Sequence, residues 1–308
     1  MISIVFPGQG SQKVGMGSEL FNKFEFVKKI FKDADDILEY KITDLILNGP
    51  QEKLNQTTYT QPAIYLIGYV IGEILKKETN FFENKFSFLA GHSLGEYTAL
   101  TLAKSISFEQ GLFLLKNRGQ AMQSAVPLGE GGMLAILGSE AEDIKELISN
   151  NFKDIKCFLA NDNSKGQLII SGRNEELEKF SSLLKDKKIK NIKLPVSAPF
   201  HCELMRDATL TMEKLINNQE FKNPEYKVVS NVTALDYKNT EEIKKLLIKQ
   251  IESPVRWRES IDYMISNKVN TFVEIGPGKV LSGLIKRINK DVKVLNIDTL
   301  EDIQGINL

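Results

Sequence analysis

Cysteine is scarce in this 308-residue chain, which contains only Cys157 and Cys202. Two cysteines so far apart form neither a disulfide framework nor a C-x-x-C metal site. Histidine is equally rare, with two residues, and no group of His, Cys, Asp and Glu has the spacing of metal ligands. We therefore expect no metal, no cofactor and a reducing, cytoplasmic location.

Long apolar runs and an excess of charge are also missing. The run around 64–74 contains polar residues and is shorter than the roughly 20 residues that a membrane-spanning helix needs. The first residues, MISIVFPGQGSQ, do not resemble a signal peptide, because no basic stretch precedes a long apolar one. The charges of the 40 basic and 40 acidic side chains cancel, so no excess of positive charge indicates nucleic-acid binding. We expect neither a membrane nor a nucleic-acid partner.

Hydrophobic periodicity predicts alternating strands and helices along the whole chain. The predicted strands cover 2–6, 86–90, 133–137, 155–160, 167–171, 189–196, 226–232, 270–275 and 292–297. The predicted helices cover 18–40, 62–77, 96–103, 108–125, 140–150, 174–186, 203–217, 241–250, 256–267 and 279–289. Pro62 is predicted in the first turn of its helix, where a missing N–H costs little.

A glycine-rich segment, PLGEGG at 127–132, separates two patterns of elements. The elements that follow it have the order βαββαβ, which is that of a ferredoxin-like unit. The pattern then returns to longer elements. We interpret the chain as an α/β domain with a parallel-sheet core, made of 1–126 and 197–308 and interrupted by a small subdomain at 127–196.

The sharpest local signal is GHSLG at 91–95, a G-x-S-x-G between a predicted strand and a predicted helix. This is the pattern of a nucleophile elbow, which exposes a serine hydroxyl at a sharp turn. The helix N-terminus behind Ser93 also offers backbone N–H groups to a developing oxyanion. An ordinary glycine turn with a helix-capping serine is the alternative.

A serine nucleophile needs a base, usually histidine. His92 is adjacent to Ser93, and its side chain is expected to point away from the hydroxyl. His201, in the non-helical stretch PVSAPFHC, is therefore the candidate base. No acid is marked by a motif as a third member of a triad. The acids considered are Asp207, Asp236 and Asp262, and a backbone carbonyl is the alternative partner for the imidazole.

Arg118 lies in a predicted helix that is apolar on one side. An arginine there is commonly solvated. The functional interpretation is a planar fork that holds a substrate carboxylate by two hydrogen bonds. PGQG at 7–10 lacks the remaining residues of a P-loop or dinucleotide fingerprint, and GPGK at 276–279 is interpreted as a structural turn.

Several ordered motifs together resemble those of malonyl-CoA:acyl carrier protein transacylases, the malonyl-loading enzymes of bacterial fatty acid synthesis. The motifs are FPGQGSQ at 6–12, TQPA at 60–63, GHSLGEY at 91–97, KNRGQAM at 116–122, PVSAPFH at 195–201, QIESPVRW at 250–257 and VEIGPGKVLSGLIKRI at 273–288. The resemblance spans the chain from end to end. It implies an α/β-hydrolase-like core with a ferredoxin-like insert.

The resemblance also implies a role for each matching residue. Ser93 carries the acyl group, His201 is its base and the carbonyl of Gln250 orients the imidazole. Arg118 pairs with the malonyl carboxylate. The backbone N–H groups of two residues, Gln9 and Leu94, form the oxyanion hole. The implied reaction is a ping-pong transfer from malonyl-CoA to the phosphopantetheine thiol of acyl carrier protein.

Three further positions match the cleft of the family: Asn161, Asn163 and Phe200. The bulky ring of Phe200 beside His201 predicts selection against branched extender units such as methylmalonyl. Basic side chains near the GPGK turn (Lys279, Lys286 and Arg287), or the lysines at 185–193, are candidates for docking an acidic carrier protein.

Three other functions share some of these motifs. The first is an acyltransferase that loads a polyketide synthase carrier, and the second is a serine esterase or thioesterase, against which Arg118 argues. The third is a non-catalytic scaffold with a vestigial site.

Overall fold

The computed structural model describes residues 1–196 and 198–306, which contain two separate β-sheets. The strands are β1 Ile2–Phe6, β2 Phe86–Gly91, β3 Gly131–Leu137, β4 Cys157–Ser164, β5 Gln167–Arg173, β6 Lys190–Lys193, β7 Lys227–Val229, β8 Thr271–Ile275 and β9 Lys293–Ile297. The helices are α1 Ser18–Lys23, α2 Glu25–Leu38, α3 Ile42–Asn48, α4 Gln51–Leu54, α5 Thr57–Glu78, α6 Gly95–Leu102, α7 Phe108–Ser124, α8 Ala141–Asn151, α9 Asn174–Asp186, α10 Arg206–Asn217, α11 Thr240–Gln250, α12 Trp257–Ser266, α13 Val280–Ile288 and α14 Leu300–Gly305. Within these described ranges, no helix has the length and apolar content to cross a membrane.

The larger sheet is parallel and has the strand order β7-β2-β1-β8-β9. Parallel strands are buried on both faces, and the sequence of β1 is accordingly apolar at successive positions. Ile4 and Phe6 belong to a large apolar cluster with α5, α6 and α7, whereas Val5 belongs to a second cluster with α12 and α13. The sheet is therefore covered by helices on both sides.

The strand order brings three chain segments together at one edge of this sheet. β7, β2 and β1 are neighbours, so the residues that follow their carboxyl ends lie side by side. The chain moves from β1 to β2 and β7 on one side, and later to β8 and β9 on the other. Such a reversal of strand order opens a crevice at the carboxyl ends, where α/β proteins bind ligands.

The smaller sheet is antiparallel, with the order β4-β5-β3-β6. Its elements follow one another as β3, α8, β4, β5, α9 and β6, which is the βαββαβ order expected of a ferredoxin-like unit. An α/β fold with a parallel core and a separate antiparallel sheet was predicted and is confirmed.

The helical predictions are wrong in three places. The helix predicted at 18–40 is broken at Phe24, whose backbone is extended (φ −114°, ψ 119°). Pro62 is not in a first turn, because α5 already begins at Thr57. Burial on nearly all sides of α5 outweighs the missing N–H of this proline. Three short helices, α3, α4 and α14, were not predicted at all.

Three strand predictions needed correction. The strand expected at 155–160 is Cys157–Ser164, and the one expected at 189–196 is only Lys190–Lys193. The strand expected at 226–232 ends at Val229. This last difference affects the site, because Asn231 then follows the strand instead of lying within it.

Backbone hydrogen bonds join the smaller sheet to the segment before α12. Val255 N donates to the carbonyl of Ala160 at 2.8 Å, and Asp162 N donates to the carbonyl of Val255 at 3.0 Å. Arg258 also donates from Nε and Nη2 to the carboxylate of Asp162 at 2.7 to 3.1 Å. Asp162 is only 3% exposed, and such paired, planar contacts fix orientation as well as distance.

The turn between β2 and α6 packs against the end of β1 and requires two glycines. A Cβ at position 91 would lie 1.8 Å from the carbonyl carbon of Gly95, and a Cβ at position 95 would lie 2.3 Å from the carbonyl oxygen of Phe6. Both contacts are with backbone, which cannot move aside as a flexible side chain can. The close approach of strand, turn and helix therefore excludes any side chain at either position.

We expect Gly95→Ala to lower the free energy of unfolding by about 3 kcal/mol or more, because its methyl group must displace β1. Gly283→Ala is the matched control: this glycine lies in α13, and a methyl group there would enter open space, so the change should be neutral or stabilise by up to about 1 kcal/mol. Urea unfolding of both variants tests this, and equal stabilities would contradict it.

Candidate active site

Ser93 occupies the turn between β2 and α6 in a left-handed backbone conformation, with φ of 53°. A non-glycine residue adopts this conformation at a cost of about 1–2 kcal/mol. Its backbone N–H donates to Asn231 Oδ1 at 2.7 Å, and Asn231 Nδ2 donates to the carbonyl of Gly91 at 2.7 Å. The Asn231 amide thus holds the turn on both sides of Ser93.

His201 lies against Ser93, with 2.8 Å between Nε2 and the serine Oγ. Its Nδ1 lies 2.9 Å from the carbonyl oxygen of Gln250. That carbonyl belongs to the last residue of α11, where helical carbonyls lack intrahelical partners. Because a carbonyl only accepts, Nδ1 carries the hydrogen, and Nε2 is left to accept the serine proton.

The three acids considered from the sequence make no hydrogen bond to His201 in the described part of the chain. Asp236 accepts from Tyr263, Asp262 is near Arg258, and Asp207 is exposed on α10. A backbone carbonyl takes the place that an acid would have in a triad.

The imidazole of His201 is 4% exposed, and burial lowers its pKa to about 3, with a further contribution from the charge of Arg118. Burial also lowers the pKa of His92. Both imidazoles are therefore neutral at physiological pH, as a general base must be before it takes a proton.

Arg118 is on α7 and is 1% exposed. Its Nη2 donates to Ser93 Oγ at 3.1 Å and to Gln250 Oε1 at 2.9 Å, and its Nη1 donates to Gln61 Oε1 at 2.7 Å. Within the described residues, its Nε–H has no acceptor. Burial lowers the pKa of this guanidinium from its usual high value. The arginine is thus a buried cation beside the Ser93 hydroxyl, not a solvated one.

A carboxylate, Glu96, is buried behind the site. It is 0% exposed and accepts hydrogen bonds from three donors: the hydroxyl of Tyr237, the backbone N–H of Asn231 at 2.9 Å and Gln250 Nε2 at 2.9 Å. Burial raises the pKa of Glu96 to about 7, against the lowering effect of these donors and of the Arg118 charge.

The two residues expected to form the oxyanion hole flank this site. Gln9 follows β1, and Leu94 immediately precedes α6. In residues 1–196 and 198–306, neither backbone N–H has a hydrogen-bond acceptor. The side chain of Gln9 is held separately, since its Nε2 donates to Thr57 Oγ1 at 3.2 Å. Both amides are therefore available to a ligand, and their role stays a prediction.

The expected cleft residues have different surroundings. Asn163 Oδ1 lies 2.8 Å from His92 Nε2, which connects β4 to the neighbour of the nucleophile. Asn161 is buried at the backbone bridge to Val255. Phe200 is 7% exposed, and its carbonyl accepts from Ser171 Oγ at 2.6 Å.

Comparison with known proteins identifies the family. A family model for the acyl transferase domain matches residues 4–300. The malonyl CoA-acyl carrier protein transacylase of Bacillus subtilis is 41% identical over 305 residues, which are 98% of this chain and 95% of that protein. The chain belongs to the malonyl CoA-acyl carrier protein transacylase family. The resemblance seen in the motifs is therefore confirmed.

Solved structures agree with this membership in the transacylase family. The acyl-carrier-protein S-malonyltransferase of Bartonella henselae superposes with a TM-score of 0.95 and 39% identity, covering 99% of this chain and 97% of that one. A malonyl-transacylase in complex with a holo type II polyketide acyl-carrier protein superposes with a TM-score of 0.94 and 36% identity, covering 98% and 97%.

Sequence reasoning assigned no role to three residues that this site contains, and each had a partial signal. Gln61 is within the TQPA motif, and Glu96 is within GHSLGEY, where an acid lies in an otherwise apolar helix. Asn231 follows a strand that is adjacent to β2, but the predicted strand was too long to reveal it. Only the fold joins all three to the hydrogen-bond network around Ser93 and Arg118.

We expect neither imidazole of the native protein to titrate near pH 6.5. With only two histidines, the Cε1–H resonances can be followed by NMR, and the His201→Gln variant assigns them. The His201 resonance should keep its neutral, Nδ1–H form down to about pH 5. Because the unfolded chain binds protons that the native state does not, this histidine lowers stability as pH falls below about 6.5. A native titration midpoint near 6.5 would contradict the burial argument.

Proposed function

We propose that this protein transfers a malonyl group from malonyl-CoA to the phosphopantetheine thiol of acyl carrier protein and thereby supplies fatty acid synthesis. The observation that carries the proposal is the buried guanidinium of Arg118 within hydrogen-bond distance of the Ser93 hydroxyl. A nucleophile next to a desolvated cation suits an acyl group that ends in a carboxylate. The names of the relatives supply the donor and the acceptor.

In the first half-reaction, Ser93 Oγ attacks the thioester carbonyl carbon while its proton moves to His201 Nε2. The Nδ1–H bond to the Gln250 carbonyl keeps the ring oriented during this transfer. The tetrahedral intermediate then collapses, the C–S bond breaks and the imidazolium returns the proton to the departing thiolate. The product is a malonyl ester of Ser93 and free coenzyme A.

In the second half-reaction, the carrier thiol gives its proton to His201 as its sulfur attacks the malonyl ester. The C–Oγ bond breaks, and Ser93 recovers the proton from the imidazolium. We assign the negative charge of both intermediates to the backbone N–H groups of two residues, Gln9 and Leu94. Preorganised amides of this kind contribute most where charge develops in a site that excludes water.

The substrate carboxylate also changes the electrostatics of the site. In the unliganded site, the Arg118 charge opposes protonation of His201, and Arg118 Nη2 occupies a lone pair of the nucleophile. A malonyl carboxylate paired with Arg118 offsets that charge and competes for that N–H. Binding of the correct acyl group therefore makes His201 a better base, whereas acetyl does not.

We also propose the division into 1–126 and 197–308 as a large domain with a small subdomain at 127–196. The two separate sheets support it, and β4 contributes Asn161 and Asn163 to the edge of the site. A cytoplasmic location is likewise proposed. Both cysteines are buried and free, as expected in a reducing compartment.

A second candidate acceptor is the carrier protein of a polyketide synthase. One structural relative is a malonyl-transacylase in complex with such a carrier, and the acyl-transfer chemistry would be the same. Rates with purified fatty acid and polyketide carriers would separate the two. The docking face, either the group Lys279, Lys286 and Arg287 or the lysines at 185–193, stays a prediction in both cases.

Incubation with malonyl-CoA alone should add one malonyl group to the protein, as measured by intact mass. The Ser93→Ala variant should acquire none, because it lacks the nucleophile. Free malonate without an adduct would favour the esterase or thioesterase alternative. No reaction at all would favour the non-catalytic scaffold.

In the same assay, Arg118→Ala should slow malonyl adduct formation by about 100-fold, since two charge-assisted hydrogen bonds to the carboxylate are lost. Acetyl adduct formation should change much less. Arg173→Ala is the control, because Arg173 is an exposed arginine paired with Glu130. An equal fall in the rate of adduct formation with both thioesters would mean that Arg118 does not bind the malonyl carboxylate.

The wild-type protein should use malonyl-CoA much faster than methylmalonyl-CoA, and Phe200→Ala should raise the relative rate with methylmalonyl-CoA about tenfold or more. One extra methyl group that a tight pocket cannot accommodate weakens transition-state binding by about 1–3 kcal/mol, and removing the ring would relieve this cost. Phe221→Ala is a matched control, because Phe221 is also 7% exposed. Equal wild-type rates with the two thioesters would refute this role of the ring.

A further inference from the structure

Gln250 holds the centre of the site with a single amide group. Its Oε1 accepts from Arg118 Nη2 at 2.9 Å, while its Nε2 donates to the carbonyl of Ser93 at 3.0 Å and to Glu96 Oε2 at 2.9 Å. The oxygen and nitrogen of an amide have similar shapes, so only their partners decide which way the group points.

The partners of Gln250 permit one orientation. A flipped amide would direct its NH₂ group at the guanidinium N–H of Arg118, and its oxygen at the Glu96 carboxylate. The first contact would place donor against donor and the second acceptor against acceptor. In its ionised form the Glu96 carboxylate only accepts, so Glu96 acts with the Ser93 carbonyl to favour the orientation in which the Gln250 oxygen faces Arg118.

In its ionised form, Glu96 also carries a negative charge that acts on the Arg118 guanidinium, and the Gln250 amide lies between the two groups. In the part of the chain that the structure describes, Arg118 forms no salt bridge, and its hydrogen-bonding partners are two neutral amides and a hydroxyl. A carboxylate in direct contact would compete with the substrate carboxylate for the same N–H groups. The Gln250 amide lies between the Glu96 carboxylate and the Arg118 guanidinium and bonds to both. The two charges therefore attract each other without direct contact, and the guanidinium stays available to an anion.

We propose that Glu96 is a positioning residue that acts on Arg118 through the Gln250 amide. It orients the guanidinium toward the malonyl carboxylate and offsets part of its positive charge. Glu96 makes no hydrogen bond to Ser93 Oγ, His201 or Arg118, so its action is indirect. The inference rests on the proposed malonyl transfer and deepens it by assigning acyl selectivity to a residue behind the site.

A purely structural role is the competing explanation. Glu96 also accepts from the Asn231 N–H and the Tyr237 hydroxyl, and a residue that only anchors these groups would affect all substrates alike. The ratio of malonyl to acetyl transfer separates the two explanations, because the Arg118 charge would distinguish these two acyl groups.

The experiment compares acyl-serine formation from malonyl-CoA and acetyl-CoA in single turnovers of the wild type and Glu96→Gln. The amide retains the shape of the side chain but loses the charge and the acceptor-only character. We expect the malonyl to acetyl rate ratio to fall about tenfold, mainly through weaker malonyl-CoA binding. Glu274→Gln is the matched control: Glu274 is another 0% exposed carboxylate, with Leu281 N, Ser282 N and Ser282 Oγ as donors, and this variant should keep the wild-type ratio.

An unchanged ratio in folded Glu96→Gln, with both rates reduced equally, would overturn the inference in favour of the structural role. If Glu96→Gln does not fold, Gln250→Leu replaces it, since this change removes the amide that links Glu96 to Arg118 and keeps the main-chain carbonyl beside His201. An unchanged malonyl to acetyl ratio in that variant would also overturn the inference. Absence of a malonyl adduct in the wild type would instead refute the proposed function. The two failures are therefore distinguishable.

Discussion

Burial of the Arg118 charge next to Ser93 is the constraint on which the rest of the site depends. A desolvated cation is costly unless hydrogen bonds and opposite charge compensate it. Here the direct partners are Gln61 and Gln250, and the carboxylate of Glu96 lies behind the second of them. This compensation holds the guanidinium in place but leaves N–H groups of Arg118 for an anion, the Nε–H among them.

The same constraint explains why segments from so many parts of the chain meet in one place. Gln61 comes from α5, Arg118 from α7 and Gln250 from the end of α11, while Ser93 and Asn231 follow neighbouring strands. A parallel sheet supplies the fixed platform, because its strands are buried on both faces. The helices around it then contribute single polar residues from otherwise apolar surfaces.

Sequence reasoning was most successful where chemistry leaves a local pattern. The two glycines of the elbow pattern indicated Ser93, and the scarcity of histidine indicated His201. The structure places these two side chains 2.8 Å apart. Gln250 illustrates the opposite case. It acts at His201 through a backbone carbonyl, which every residue possesses, so its residue type carries no signal for that contact, and only the family resemblance pointed to it.

The errors in the fold have similarly physical causes. Pro62 was placed in a first turn because local propensity disfavours proline inside a helix, yet α5 is buried almost all round and packing prevails. The predicted strand at 226–232 was too long because Val232 continues the apolar pattern after the ladder has ended. Hydrophobic periodicity indicates which residues are buried, whereas the end of a strand depends on where its hydrogen bonds to the neighbouring strand stop.

Ser93 and His201 both have left-handed backbones, with φ of 53° and 58°. An isolated segment would relax out of each conformation, so the surrounding contacts must hold them there. The Asn231 amide does so for Ser93, and the end of α11 lies against His201. Ser93 and His201 therefore meet only in the folded protein, and local unfolding of either segment would separate the hydroxyl from the imidazole.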